Sequence, residues 1–239
     1  DAAGSAYLTG YTTSTEATMP VVVGPDLTAN GDFDALIGKL TPAGDAFAYL
    51  GFLGGDDTDA GEAVAVDAEG RLHVVGYAES GPATFPAKGG PDDTQNDLEE
   101  GAGDGFVARI AAVPDAADPA DNVDFAGYIG GGGQDQAYWV ALDPAGGIHV
   151  AGDTASGADT FPDGQGMAGL PGPGAEPGGD GDGFVVKLAL GDVAPTPRVT
   201  TTPTREPTAT PRPGGEGGTI HLPVALGASE LAGSPAGAA

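Results

Sequence analysis

The chain contains no cysteine, so neither disulfides nor thiolate chemistry contributes to its stability or its reactivity. Basic residues are scarce: 8 Lys and Arg stand against 35 Asp and Glu, a formal net charge of −27. Most of the excess lies in residues 1–191, which hold 31 acidic and 5 basic side chains. A body this acidic is repelled by nucleic-acid phosphate and by anionic lipid headgroups, which argues against either as a partner. Aromatic residues are few, at 6%, with a single tryptophan. No run of about 18 apolar residues occurs, so no membrane-spanning helix is expected. No recognisable signal peptide stands at the start.

Glycine and proline are abundant, at 44 and 21 residues, which on composition alone points toward low complexity. Against that, 40% of the residues are hydrophobic, and the glycines recur at fixed offsets. Asp1-Ala2-Ala3-Gly4, Asp67-Ala68-Glu69-Gly70 and Asp143-Pro144-Ala145-Gly146 are equivalent. Each leads into a short apolar segment ending in glycine: Ala6 to Gly10, Leu72 to Gly76 and Ile148 to Gly152. A proline follows each of those glycines at a constant distance, as Pro20, Pro86 and Pro162. After a variable loop come Asp34 to Leu40, Asp104 to Ile110 and Asp182 to Leu188, each an Asp followed by an apolar run with a basic residue near its end. Two further elements appear twice each: Phe47 to Gly55 with Val123 to Gly131, and Ala63 to Asp67 with Trp139 to Asp143.

These segments are short, rich in Val, Ile, Phe and Tyr, and bounded by Gly, Asp and Pro, which is the pattern of strands joined by turns. No helical hydrophobic period accompanies them. The expected fold is all-β: propeller-like repeats of four-stranded antiparallel blades, with a sandwich or solenoid as the alternative. The repeats span about 1–66, 67–142 and 143–191. The first copy lacks the element that would precede Asp1, and the third lacks the one that would follow Leu188. The expectation is therefore a three-, four- and three-strand arrangement, incomplete at both ends and so a candidate piece of a longer protein. Open edges invite pairing unless they are covered.

The string Gly-x-x-Tyr/His-x-x-Gly, followed by Phe-Pro, Asp-x-Phe-Val-x-Lys-Leu, Tyr-Leu-Gly-Gly and Ala-Val-Asp-x-x-Gly, resembles the bacterial SBBP-type β-propeller repeat over residues 1 to about 190. The resemblance implies propeller blades and an extracellular or cell-surface location, and carries no assigned activity. This chain departs from the pattern through insertions at 87–103 and 111–122.

Residues 192–218 form a Thr/Pro/Gly-rich linker, with six Pro and seven Thr among residues 195–213. Such a segment extends as a polyproline-type spacer, reaching roughly 59 Å at about 3.1 Å per residue. Beyond it, Ile220, Leu222, Val224 and Leu226 alternate within 219–226, so in a strand all four project from one face. Pro223 confines that strand to an edge. Burying the four side chains yields roughly 6–12 kcal/mol, whereas ordering eight backbone residues costs roughly 8–16 kcal/mol. The strand therefore needs a sheet edge to pair with, and residues 227–239 read as a flexible tail. The expected role is a non-enzymatic structural subunit of an extracellular assembly, a homo-oligomer or filament joined by strand addition. The alternative is a binding module for a surface glycan or protein, using the loops at 87–103 and 163–181.

No nucleophile elbow, zinc-ligand spacing or phosphate loop is present. Gly164-x-Gly166-x-x-Gly169 matches a dinucleotide fingerprint by letter only, since Leu170-Pro171 cannot open the helix that motif requires. His73 and His149 hold matched strand positions and read as packing residues. The carboxylates are the one chemical constellation. Asp32 and Asp34, Asp104, and Asp180 and Asp182 precede the same strand in successive repeats, and are candidates for weak Ca²⁺ binding or for turn capping. Asp56, Asp57 and Asp59 cluster after Gly54-Gly55, with Asp135 equivalent to Asp59. No cofactor is required by any motif.

Overall fold

A computed structural model describes residues 1–95, 102–112, 119–157, 160–161 and 181–188. The linker, the strand proposed at 219–226 and the tail lie outside the described residues, as does Asp180. The described chain is all-β. It holds ten strands and one short 3₁₀ turn at Pro119–Asn122, with no α-helix among the described residues. The strands are β1 (Tyr7–Thr12), β2 (Asp34–Leu40), β3 (Phe47–Leu53), β4 (Asp59–Val66), β5 (Leu72–Ala78), β6 (Asp104–Ile110), β7 (Val123–Ile129), β8 (Asp135–Leu142), β9 (Ile148–Thr154) and β10 (Asp182–Leu188).

They form three antiparallel sheets, none closed on itself, ordered β1-β2-β3, β4-β5-β6-β7 and β10-β9-β8. The three-, four- and three-strand arrangement is the one the repeat spacing predicts. The hydrogen-bonded sheets are out of phase with the sequence repeats by one strand: β4 closes the first repeat but pairs with β5 of the second. Likewise β8 pairs with β9 of the next repeat. Each sheet is thereby stitched to its neighbour by the chain itself.

The Asp-x-x-Gly sequences form the turns into β1, β5 and β9. Gly4, Gly70 and Gly146 adopt φ of 89°, 82° and 85°, which only glycine reaches without strain. The Asp carboxylate of each turn accepts the amide hydrogens of residues two and four further on, as Asp67 does from Glu69 and Arg71. It then anchors the strand that follows. Tyr7 donates to Asp1 at 3.0 Å, while the rings of His73 and His149 lie 3.1 and 3.2 Å from Asp67 and Asp143. Lys39, Arg71 and Lys187 pair with the same three carboxylates. The two matched histidines are thus tied to turn carboxylates.

Two segments run differently from their sequence pattern. The glycines that close the apolar segments, Gly76 and Gly152, lie inside β5 and β9, not at their ends. Opposite them β4 and β8 carry matching bulges, between Gly61 and Ala63 and between Ala137 and Trp139. A Cβ on Gly76 would meet the Ala60 carbonyl oxygen at 1.9 Å, and one on Gly152 would meet that of Gln136 at 1.8 Å. Glycine here admits a bulged partner. For the same reason β4 and β8 begin at Asp59 and Asp135, four residues before the apolar runs: the bulge breaks the alternation that marks a strand.

The core lies between the sheets. Ala35, Ile37, Tyr49 and Leu53 of the first sheet pack with Leu72, Val74, Phe106, Ala108 and Ile110 of the second. Ala63, Val75, Val107 and Phe125 on the second sheet's other face pack with Ala137, Ile148, Val150, Phe184 and Val186 of the third. Each junction also takes a loop aromatic, Phe85 in the first case and Phe161 in the second. Loop segments cover two outer edges: Val22 and Asp26 bond along β3, and Lys88 and Asp92 along β7.

Candidate functional site

Four of the five candidate ligand positions lie among the described residues, and they separate sharply on folding. Asp34, Asp104 and Asp182 are the first residues of β2, β6 and β10. Asp34 and Asp104 are buried, at 1% and 0% exposure. Asp182 is half-buried and Asp32 is exposed. Asp32 lies in the bend two residues before β2 begins and stays in solvent, so it does not join Asp34. Of the cluster after Gly54-Gly55, Asp56 and Asp57 are exposed while Asp59 is fully buried.

The structure brings Asp34 together with Asp59, two residues that fall in different sequence clusters. Both line the backbone at Gly54: Asp34 Oδ1 and Asp59 Oδ2 each lie 2.8 Å from the place a Cβ would occupy there. Glycine is required at this point because any side chain would enter the space between the two carboxyls. Asp34 Oδ2 accepts the amide hydrogens of Asn30 at 3.2 Å and Gly31 at 3.5 Å, and its Oδ1 is buried without a partner. Asp59 Oδ2 accepts from the Gly55 amide and the Ser80 hydroxyl, both at 2.7 Å. Burial raises the pKa of both acids, and pushes Asp59 up to about 7 in spite of those donors, with the Asp34 charge adding to the rise.

The second junction repeats the arrangement. Asp135, the equivalent of Asp59, accepts from the Gly131 amide at 2.8 Å and the Ser156 hydroxyl at 2.7 Å, and burial raises its pKa as well. Asp104 stands where Asp34 does, and a Cβ on Gly130 would strike its carboxyl. Each sheet junction thus carries two buried carboxyls, one from the strand entering the middle of a sheet and one from the first strand of the next. Chemically, a buried carboxyl such as Asp59, raised to about 7, can carry a proton near neutral pH. Among the described residues, no group of three or more His, Asp or Glu side chains is placed to hold a metal ion.

No protein-family model matches the chain, and no curated protein matches it. What the chain offers beyond the carboxyl pairs is surface. Trp139 and Val185 are 69% and 76% exposed, both on the third sheet. Their counterparts by repeat position, Ala63 and Val107, are buried under the third sheet. Sequence reasoning places Trp139 in a strand without showing that the face it occupies is bare. The signal available was its mismatch with Ala63, a large aromatic where the equivalent strand has a methyl.

Proposed function

We propose that this chain is a non-enzymatic structural subunit that self-associates into an extracellular or cell-surface assembly, its sheets acting as propeller-type blades and residues 219–226 as an added strand. The observation that carries the reading is the exposure of Trp139 and Val185 on a face of the third sheet that no described sheet covers, whereas the two junctions among the described residues are each closed by a neighbouring sheet. The likeness of residues 1 to about 190 to SBBP-type repeats supports the blades and the location. The charge of −27 is consistent with assembly by backbone pairing and apolar contact, since like-charged bodies gain nothing from ionic attraction. Deleting residues 214–239 is expected to leave a folded monomer. Light scattering that returns an unchanged particle mass for the truncated chain overturns the reading.

Weak Ca²⁺ binding is part of the same proposal, with the Asp34–Asp59 and Asp104–Asp135 pairs as its places, because the cation relieves the repulsion of two buried charges. Calorimetry at pH 8 is expected to show heat that the Asp34→Asn variant reduces; no heat at millimolar Ca²⁺ contradicts it. A second reading, a glycan-binding module, is favoured by the exposed Trp139 ring, a surface on which a sugar stacks. Quenching of Trp139 fluorescence by a glycan at fixed protein concentration would support that reading over self-association.

A further inference from the structure

The three sheets stack by one rule. The first strand of each sheet lies on the face of the sheet before it: β4 against β1 and β2, and β8 against β5 and β6. The first sheet is the exception, since among the described residues β1 has β2 on one side and no partner strand on the other. Its residues register the loss. Leu8 is half-buried and Ala6 exposed, whereas their equivalents Val74, Val150, Leu72 and Ile148 are all fully buried. The third sheet has the opposite deficit. It is stacked on the second, and no described strand lies on its far face, where Trp139 and Val185 are exposed. Among the described residues, the first sheet has an open edge at β1 and the third sheet has an uncovered outer face.

Within this chain, a segment outside the described sheets carries the first-strand pattern. Val224-Ala225-Leu226 aligns with Val140-Ala141-Leu142 of β8 and Val64-Ala65-Val66 of β4. The alignment sets Pro223 at Trp139 and Ala63, the residues just past the two bulges. A strand with one free edge and a bulge is where proline is tolerated. The match is carried by the C-terminal half of the segment, since His221 falls where Gly61 and Ala137 stand.

Deepening the self-association proposed above, and resting on it, we infer that residues 219–226 of one copy pair antiparallel with β1 of a second copy, so that the second copy's first sheet seats on the first copy's bare third sheet. The occupant of the Trp139–Val185 face is thus a second copy of this chain, joined head to tail. The donated strand comes after β10 as β4 comes after β2 and β8 after β6, with β3 and β7 intervening in those two cases, so the junction between copies follows the pattern of the junctions within a copy. The register follows from the pairs Val64 with Val74 and Val140 with Val150, which set Val224 opposite Leu8.

The absence of cysteine makes the test clean. Full-length Leu8→Cys and Val224→Cys variants are mixed under mild oxidation, alongside a Leu8→Cys and Ala225→Cys pair, in which the one-residue slip turns the thiol to the other face. A third mixture pairs Val186→Cys on β10 with Val224→Cys. The expected result is a covalent dimer from the first mixture at least tenfold more abundant than from the other two, and a ladder of oligomers from the Leu8→Cys/Val224→Cys double variant. Trp139 emission should shift to the blue as copies associate and cover it. A monomeric internal disulfide in the double variant, or cross-linking only to Val186→Cys, overturns the head-to-tail pairing at β1 while leaving strand addition standing. Oligomers with no cross-link in any mixture also overturn it. A single-chain mass for the unmodified protein instead overturns the self-association on which it rests.

Discussion

Replacing Asp59 with Asn is expected to stabilise the protein at pH 8 by up to about 4 kcal/mol, and to change little at pH 4. The wild-type carboxyl is fully buried and its pKa is raised to about 7, with burial the main cause. The folded state therefore holds a proton that the unfolded chain has released above its ordinary carboxyl value of 3.8. Stability from this group is complete below that value and is lost as pH rises through about 7. Asp34 and Asp135, also raised by burial, act in the same direction. Asp67 and Asp143 act in the other. Burial alone would raise Asp67, but its bonds to Arg71 and His73 hold it low, and the Lys187 ammonium holds Asp143 low. Their contribution is lost as pH falls below the usual carboxylate range. The melting temperature should pass through a maximum on the acid side, between about pH 4 and 6, and decline toward pH 8. Asparagine keeps an acceptor for the Gly55 amide and the Ser80 hydroxyl while removing the charge. A melting curve for Asp59→Asn that runs parallel to wild type from pH 4 to 8 would show that Asp59 carries no such proton.

Gly76→Ala is expected to cost on the order of 3 kcal/mol, lowering the melting temperature by about 6–12 °C. Its new methyl would lie 1.9 Å from the Ala60 carbonyl oxygen and 2.8 Å from the Phe106 ring. The first contact is with backbone, which no rotamer change relieves, and Ala60 lies just before the bulge in β4. Gly44→Ala provides the contrast. Gly44 has φ of 71° with open space where the methyl would go, so only the left-handed backbone penalises it, by roughly 1–2 kcal/mol. Equal losses in urea melts of the two variants would remove the steric account of the bulge.

Much of this fold is legible in the sequence because strand and turn chemistry is local. The Asp-x-x-Gly turns, the run Asp104 to Ile110 and its equivalents, and the three-, four- and three-strand count all follow from spacing. What spacing does not carry is contact between sheets. Asp34 and Asp59 sit in separate clusters 25 positions apart, and only the seating of β4 on the first sheet brings their oxygens to Gly54. Asp32 and Asp34 look alike in sequence, yet Asp32 lies in the exposed bend before β2 while Asp34 opens the strand and is buried. The bulges at Gly61 and Ala137 erase the apolar alternation over the first half of β4 and β8, so those strands read as shorter than they are. The loop residues that cover β3 and β7 gave no strand signal, since a few isolated backbone bonds need no alternating pattern.

The bare Trp139 face had a trace in the sequence, but one that acquires meaning only with the neighbours in view. Alanine at position 63 fits under the next sheet, and its equivalent Trp139 lies on a face that no described sheet covers. The same residue in a closed stack would need room that the Ala63 junction does not have.

The central claim is that copies of this chain join end to end. Electron micrographs of the purified full-length protein over a range of concentrations test it most directly. Filaments or rings built from repeating units of about 23 kDa, absent from the chain truncated at residue 213, are the predicted result. A field of separate 23.2 kDa particles at every concentration would contradict it.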